Sequence, residues 1–205
     1  LADLASLKTA AEAIDPLAEA AKSEGAWSVY LEALEAENGP AEEQAHALNR
    51  IGDSRYYQQD IAGALASSLE AEKRLIAAGA TDGEAMAGTL ANIATFYTGV
   101  GQPEKNVPLQ ERSLKIRTAL YGQDPEGIAP ADAKALGLGY LNYAAALYEA
   151  NRFGDAAEYV DPAIKGLIRG GMTDTTLFVA LSTGANIYID AGRQVDALRL
   201  AMQGI

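Results

Sequence analysis

A helical hairpin recurs along this chain at a spacing that leaves few folds open to it. The clearest copy is the stretch 88–122, GTLANIATFYTGVGQPEKNVPLQERSLKIRTALYG. Leu90, Ile93, Ala94 and Tyr97 fall three and four apart, on one helical face, and Leu109, Leu114 and Ile116 form a second apolar set. Gly101 and Pro103 separate the two, glycine closing one helix and proline opening the next. Ile93 and Ala94 find counterparts in Ile51 and Gly52, Tyr143 and Ala144, and Gly184 and Ala185, at steps of 42, 50 and 41 residues. The longer step contains YGQDPEGIAPAD, 121–132, whose prolines and glycines predict an extended loop. One hairpin cannot bury its apolar face alone, so the copies must stack.

The small positions of the copies carry the packing argument. Gly52, Ala94, Ala144 and Ala185 in first helices, with Ala64, Ala156 and Ala197 in second helices, allow paired helices to approach closely. A mid-helix glycine costs about 1 kcal/mol against alanine, so Gly52 and Gly184 imply tight contacts that compensate. Residues 1–40 are helical but less regular. Asp15 and Pro16 have the pairing that starts a helix, Gly25 is expected to interrupt the next run, and a helix over 26–37 carries Trp27, Tyr30, Leu31 and Leu34 on one side. This region reads as a degenerate first repeat or a cap, and 41–205 as an array with units near 43–80, 85–122, 132–170 and 174–205. The opening on Leu1 suggests a trimmed chain or a removed leader. The stop after Ile205, partway through a second helix, suggests that more sequence follows.

The motifs are similar to tetratricopeptide repeats, in the longer-period form of kinesin light chains and many bacterial arrays. The likeness rests on Asn92-Ile93-Ala94 with Tyr97, Gly101 and Leu114-Lys115-Ile116; on Asn142-Tyr143-Ala144 with Leu147; and on Gly184-Ala185 with Tyr188 and Gly192. It covers roughly 43–205 and implies an all-α, right-handed superhelical solenoid of antiparallel helix pairs. There are two departures. Asn106 stands where alanine is usual, with Pro108 just beyond, so that second helix should begin late with Asn106 as its cap. Arg55 stands where the other units have Tyr97, Leu147 and Tyr188, and Tyr56 is expected to substitute from the next position.

Composition narrows the chemistry. The chain has no cysteine, one histidine and a formal net charge of −12, with ten acidic and three basic residues in 1–50. Thiolate sites and histidine clusters are excluded, and a polyanion such as nucleic acid would be repelled. A basic peptide or protein face suits this surface, although acidity also serves solubility. No apolar run approaches the ~20 residues of a membrane span. Absence of cysteine fits cytoplasm and periplasm alike, and the Ala-rich, acidic composition accords with a bacterial source. A triad would depend wholly on His46, and no carboxylate pair stands out as catalytic. Gly137-Leu138-Gly139 resembles part of a dinucleotide fingerprint but follows no strand and lacks the third glycine.

Binding is therefore the expectation. The resemblance places His46, Asn49, Asp53 and Tyr56 of the first unit on the concave side of the array. Ala91, Asn92, Thr95 and Thr98 of the second join them, then Leu141, Asn142, Ala145 and Tyr148 of the third, and Ser182, Asn186 and Ile189 of the fourth. Of these, Asn49, Asp53, Tyr56, Asn92, Thr95, Asn142, Tyr148 and Asn186 are the candidate peptide contacts that the resemblance implies, and the asparagine amides match both groups of a peptide backbone. Bonding between helices is the alternative role for Asn92 and Asn142. The resemblance implies a non-catalytic scaffold for a protein or peptide partner, with no cofactor or metal. A sensor region of a larger multidomain protein, such as a bacterial caspase-like protease or signalling protein, is the other reading. A helical enzyme built on His46 is a third.

Overall fold

The computed structural model describes residues 3–173 and 175–203, and among them every regular element is helical. Two compact units divide the chain at Lys105 and Asn106. The first holds α1 (Leu4–Glu12), α2 (Ala20–Ala36), α3 (Ala41–Tyr57), α4 (Ile61–Ala77), α5 (Glu84–Gly99) and a 3-10 turn at Pro103–Lys105. The second holds α6 (Asn106–Tyr121), a 3-10 turn at Pro125–Gly127, α7 (Pro130–Glu149), α8 (Phe153–Ala157), α9 (Val160–Arg169), α10 (Thr175–Asp190) and α11 (Gln194–Gln203).

Helix ends follow one local rule. Among the described residues, seven helices close with a bond from a backbone N–H to the carbonyl five residues earlier, at 2.7–3.0 Å: Gly39 to Leu34, Asp60 to Arg55, Ala80 to Leu75, Gln102 to Tyr97, Arg152 to Leu147, Met172 to Leu167 and Arg193 to Tyr188. The residue before each donor has positive φ: Asn38, Gln59, Gly79, Gly101, Asn151, Gly171 and Gly192. This is the Schellman closure, which satisfies carbonyls the helix leaves open. Its acceptors Arg55, Tyr97, Leu147 and Tyr188 lie 42, 50 and 41 residues apart, the register of the sequence repeat. At the other ends, the Asp3 and Asp60 carboxylates accept from the N–H groups of Ser6 and Gly63.

In the first unit α2 packs on α3, α3 on α4 and α4 on α5, while the first helices α3 and α5 also touch. Trp27, Tyr30, Leu34, Ala47 and Ile51 form one cluster, and Leu75, Met86, Leu90, Ile93 and Phe96 are buried further along. In the second unit α7 lies against α6 and α9, and α10 against α11 and α9. Leu136, Leu147, Leu167, Ile187, Tyr188 and Leu200 are its large buried side chains.

Small residues set the closest approaches. A Cβ on Gly52 would sit 3.2 Å from the Ala64 carbonyl oxygen, and one on Gly184 would sit 2.6 Å from Val160 Cγ1. The Gly-Leu-Gly run serves packing, within α7. A Cβ on Gly137 would come within 2.8 Å of Gly166 backbone, and one on Gly166 within 2.6 Å of Gly137 Cα. Gly139 leaves room for the stem of Arg117.

The structure corrects four local expectations. Asp15 and Pro16 start no helix; the Asp15 carboxylate accepts from the Leu17 N–H in a turn, and α2 begins at Ala20. Gly25 does not interrupt α2, which runs through it. Asn106 opens α6 late, after the 3-10 turn, but its buried side chain donates to Glu149 Oε2 at 3.1 Å, in a bond between helices. The second helix of the third pair is broken: Pro162 cannot donate to the Glu158 carbonyl and crowds it, so α8 stops at Ala157 and α9 restarts at Val160, with Glu158 and Tyr159 between.

Candidate functional site

In the first unit, α3 and α5 carry five of the eight candidate contacts, and the structure gives them different duties. Asn49 is engaged in both senses: its amide donates to Thr89 Oγ1 at 2.7 Å and its carbonyl oxygen accepts from Ser68 Oγ at 3.0 Å. It ties α3 to α5 and α4. Asp53 and Asn92 meet, the Asn92 amide donating to Asp53 Oδ1 at 3.3 Å, while Arg50 donates to Asp53 Oδ2 at 3.0 Å. Burial raises the Asp53 pKa above the ordinary carboxylate value, with Arg50 pulling the other way. Thr95 is exposed and turns its hydroxyl back to the Ala91 carbonyl at 3.1 Å. Tyr56 lays its ring 5.7 Å from Phe96 and 5.9 Å from Tyr57, with part of its surface exposed. It does not take the place of Arg55, which links three helices itself: it donates to Glu24 Oε1 on α2 at 2.8 Å and to Ser67 Oγ on α4 at 2.9 Å.

Beside this row lies a concavity of about 460 Å³ between α1, α3 and α5, bordered by Glu12, Glu42, Glu43, Glu84, His46 and Asn49. Lys8 is its single basic group and is paired with Glu43 at 2.9 Å. The Lys8 hydrogen bond, aided by the Tyr30 hydroxyl, outweighs burial and holds the Glu43 pKa below the usual range. Tyr30 is pushed up to about 12, by burial first and then by Glu43. His46 sits edge-on to the Trp27 ring at 5.2 Å, and Arg50 lies over the same ring at 5.8 Å. Desolvation, then repulsion from Lys8, lowers the His46 pKa, so the imidazole is neutral at pH 7. The rim is thus anionic. Among the described residues no cluster of three histidine, cysteine, aspartate or glutamate side chains is arranged to hold a metal ion, and no helix is long and apolar enough to cross a membrane.

In the second unit, Asn142 on α7 is half-buried and Asn186 on α10 is exposed; neither amide has a hydrogen-bond partner among the described residues. Asn186 borders a cavity of about 320 Å³ with Phe178, Leu181, Ser182 and Leu200. Tyr148 is committed to packing between helices, its hydroxyl donating to Asp190 Oδ2 at 2.6 Å and its ring lying 5.4 Å from Phe153.

Sequence reasoning missed Arg50, Thr89 and Lys8. The Arg50–Asp53 pair has the three-residue spacing that marks neighbours on a helix and was legible in principle. Lys8 meets Glu43 across 35 residues, which no local pattern signals.

Comparison with known proteins bears on the fold. Residues 86–126 match the family model of the tetratricopeptide repeat. No curated protein matches the chain significantly. Among solved structures, BtubC (BKLC) from P. vanneervenii superposes with a TM-score of 0.73 at 14% identity, over 91% of this chain and 72% of that one. A kinesin-light-chain-type protein of Podosopora anserina with nearly identical TPR-like repeats gives 0.68 at 13% identity, over 98% and 92%. A Rap protein complexed with competence and sporulation factor gives 0.71 at 16% identity, over 92% of this chain and 49% of that one. The chain has the all-α tetratricopeptide-type fold of these solved structures, and residues 86–126 match the tetratricopeptide repeat.

Proposed function

We propose that this chain is a non-catalytic scaffold that binds an extended segment of a protein partner, and that the segment is basic. The observation that carries the reading is the concavity of about 460 Å³ bordered by four glutamates next to the Arg50–Asp53–Asn92 row. Carboxylates at its rim attract cationic side chains, and an amide beside them offers a donor and an acceptor to peptide backbone. The amides of Asn142 and Asn186, without a partner among the described residues, offer the same chemistry in the second unit. The Rap protein, complexed with a factor, supports a binding role for the fold. Asn49 is the weakest of the candidate contacts, because its amide is already bonded to Thr89 and Ser68.

Selection from a random peptide display library tests this. Lysine- and arginine-containing peptides should be enriched. Their binding should weaken at least about fivefold when Glu42→Gln and Glu84→Gln are combined, a loss on the scale of 1 kcal/mol. Asn92→Ala should weaken it separately. Trp27, the only tryptophan, lies under His46 and Arg50 and should report occupancy by its fluorescence. Enrichment of acidic peptides, or glutamine variants that bind as tightly as the parent, would exclude the proposal.

A further inference from the structure

The break in the third helical pair creates a feature that the peptide-binding reading does not use. With the backbone bent between α8 and α9, the Tyr159 ring reaches two tyrosines of α7. It stacks on Tyr140 at a centroid distance of 6.1 Å and an interplanar angle of 24°, and meets Tyr143 edge-on at 4.9 Å and 68°. These rings, with Leu114, Glu111 and Lys115 of α6, line a cavity of about 320 Å³ inside the second unit. That volume lies at the lower end of the range for small-ligand sites, about 300–1,000 Å³. Tyr140 and Tyr143 lie about 200° and 100° round the helix from Asn142, so the cavity is separate from the free amide.

Two of its three tyrosine hydroxyls are uncommitted among the described residues. The Tyr140 hydroxyl donates to the Gln123 carbonyl at 2.8 Å. The hydroxyls of Tyr143 and Tyr159 have no protein partner among the described residues and are open to solvent, while the Tyr143 ring is buried. Both therefore offer an O–H donor to whatever enters the cavity. The charges at the rim, by contrast, are matched: Lys115 pairs with Glu111 at 2.7 Å and Arg152 with Asp155 at 2.7 Å. Neither a cation nor an anion meets uncompensated charge, and Lys115 and Arg152 both act on Tyr143. Burial, then Glu111, raises the Tyr143 pKa, so its hydroxyl remains a donor at neutral pH.

A ligand that suits this lining is neutral, presents flat apolar rings to the tyrosine faces, and carries acceptors without bringing donors of its own. We infer that the Tyr140–Tyr143–Tyr159 cavity is a docking site for a proline-rich segment of a partner protein in the polyproline II conformation. Such a segment has no internal hydrogen bonds and exposes every carbonyl, and proline contributes no N–H that would need an acceptor. Aromatic grooves whose hydroxyls bond those carbonyls are an established way to hold it. Tyr143 and Tyr159 supply the donors, and the ring faces supply the contact.

The experiment follows carbon-13-labelled tyrosine ring signals of the 205-residue chain by NMR during titration with acetyl-hexaproline-amide. Control titrations use a Gly-Ser hexapeptide and hexalysine. The signals of Tyr140, Tyr143 and Tyr159 should shift and saturate with proline peptide in the range of about 1 mM, and not with the Gly-Ser control. Tyr143→Phe combined with Tyr159→Phe keeps both rings and removes both donors, and should weaken binding about tenfold, two modest hydrogen bonds together. Circular dichroism of the variant should match the parent. The inference is overturned if these signals stay still up to about 10 mM peptide, if the Gly-Ser peptide shifts them equally, if hexalysine binds more tightly than proline, or if the double phenylalanine variant binds like the parent. Failure of peptide selection at the acidic concavity would leave these signals unaffected, so the two proposals fail separately.

Discussion

Arg55 shows how one residue can depart from a repeat and keep its role. The other units place Tyr97, Leu147 or Tyr188 there, and each backbone carbonyl at this position closes its helix. Arg55 closes α3 in the same way but replaces an apolar wedge with bonds to Glu24 and Ser67. Burial works against the charged form of Glu24, yet the hydrogen bonds from Arg55 and Gln58 prevail and hold its pKa below the ordinary glutamate value. Arg55→Ala should cost about 1–2 kcal/mol at neutral pH, the value of charge-assisted bonds discounted for partial exposure. A depressed carboxylate pKa stabilises fully above the unfolded value and loses that contribution as pH falls through the folded one. The gap in urea midpoint between parent and Arg55→Ala should therefore narrow between about pH 7 and about pH 3. An unchanged gap would assign Arg55 a packing role only. The register of Arg55 was legible in the sequence. Its partner Glu24 was not, because the two are 31 residues apart and meet only once α2 and α3 have packed.

Among the helices, two glycines of the same type should respond in opposite directions. Gly25 lies inside α2, exposed, with no heavy atom within 4 Å of an added Cβ. Gly25→Ala should stabilise the protein by about 1 kcal/mol, the helix-propensity gain alone. Gly137→Ala makes the same gain but pushes a methyl into Gly166 and Leu167 backbone at 2.8 Å. That should force α7 and α9 apart and cost a net of about 2 kcal/mol or more. Thermal melts of the two variants check both signs; a Gly137→Ala protein that melts at or above the parent would mean the helices can separate cheaply. Sequence periodicity located these elements because apolar spacing and glycine turns are local. It misjudged Gly25 as a stop because propensity is a weak signal that packing of Trp27, Tyr30 and Leu34 overrides. It missed the α8–α9 break although Pro162 was in plain view, since an apolar pattern continued across it.

For the molecule as a whole, charge is unevenly shared. Residues 1–105 hold 17 acidic and 7 basic residues, and 106–205 hold 11 and 9. Self-repulsion concentrated in the first unit should make salt stabilising, because many ion pairs here are exposed and lose little when screened. Melting temperature should rise by a few degrees between about 0.02 and about 0.5 M NaCl; a fall would show that the pairs outweigh the repulsion. Fold class was legible from repetition. Half of the candidate contacts were harder to judge, because whether an asparagine is occupied, as Asn49 is, or open, as Asn142 is, depends on neighbours distant in sequence. The closure of α2 has a chemical corollary. Asn38–Gly39 is the one Asn-Gly pair in the chain, the dipeptide in which the following backbone nitrogen most readily attacks the amide and converts asparagine to a succinimide. Here the Gly39 N–H is bound to the Leu34 carbonyl at 2.7 Å, which withholds that nitrogen from attack. Ageing of the protein at this site is therefore tied to how often the last turn of α2 frays.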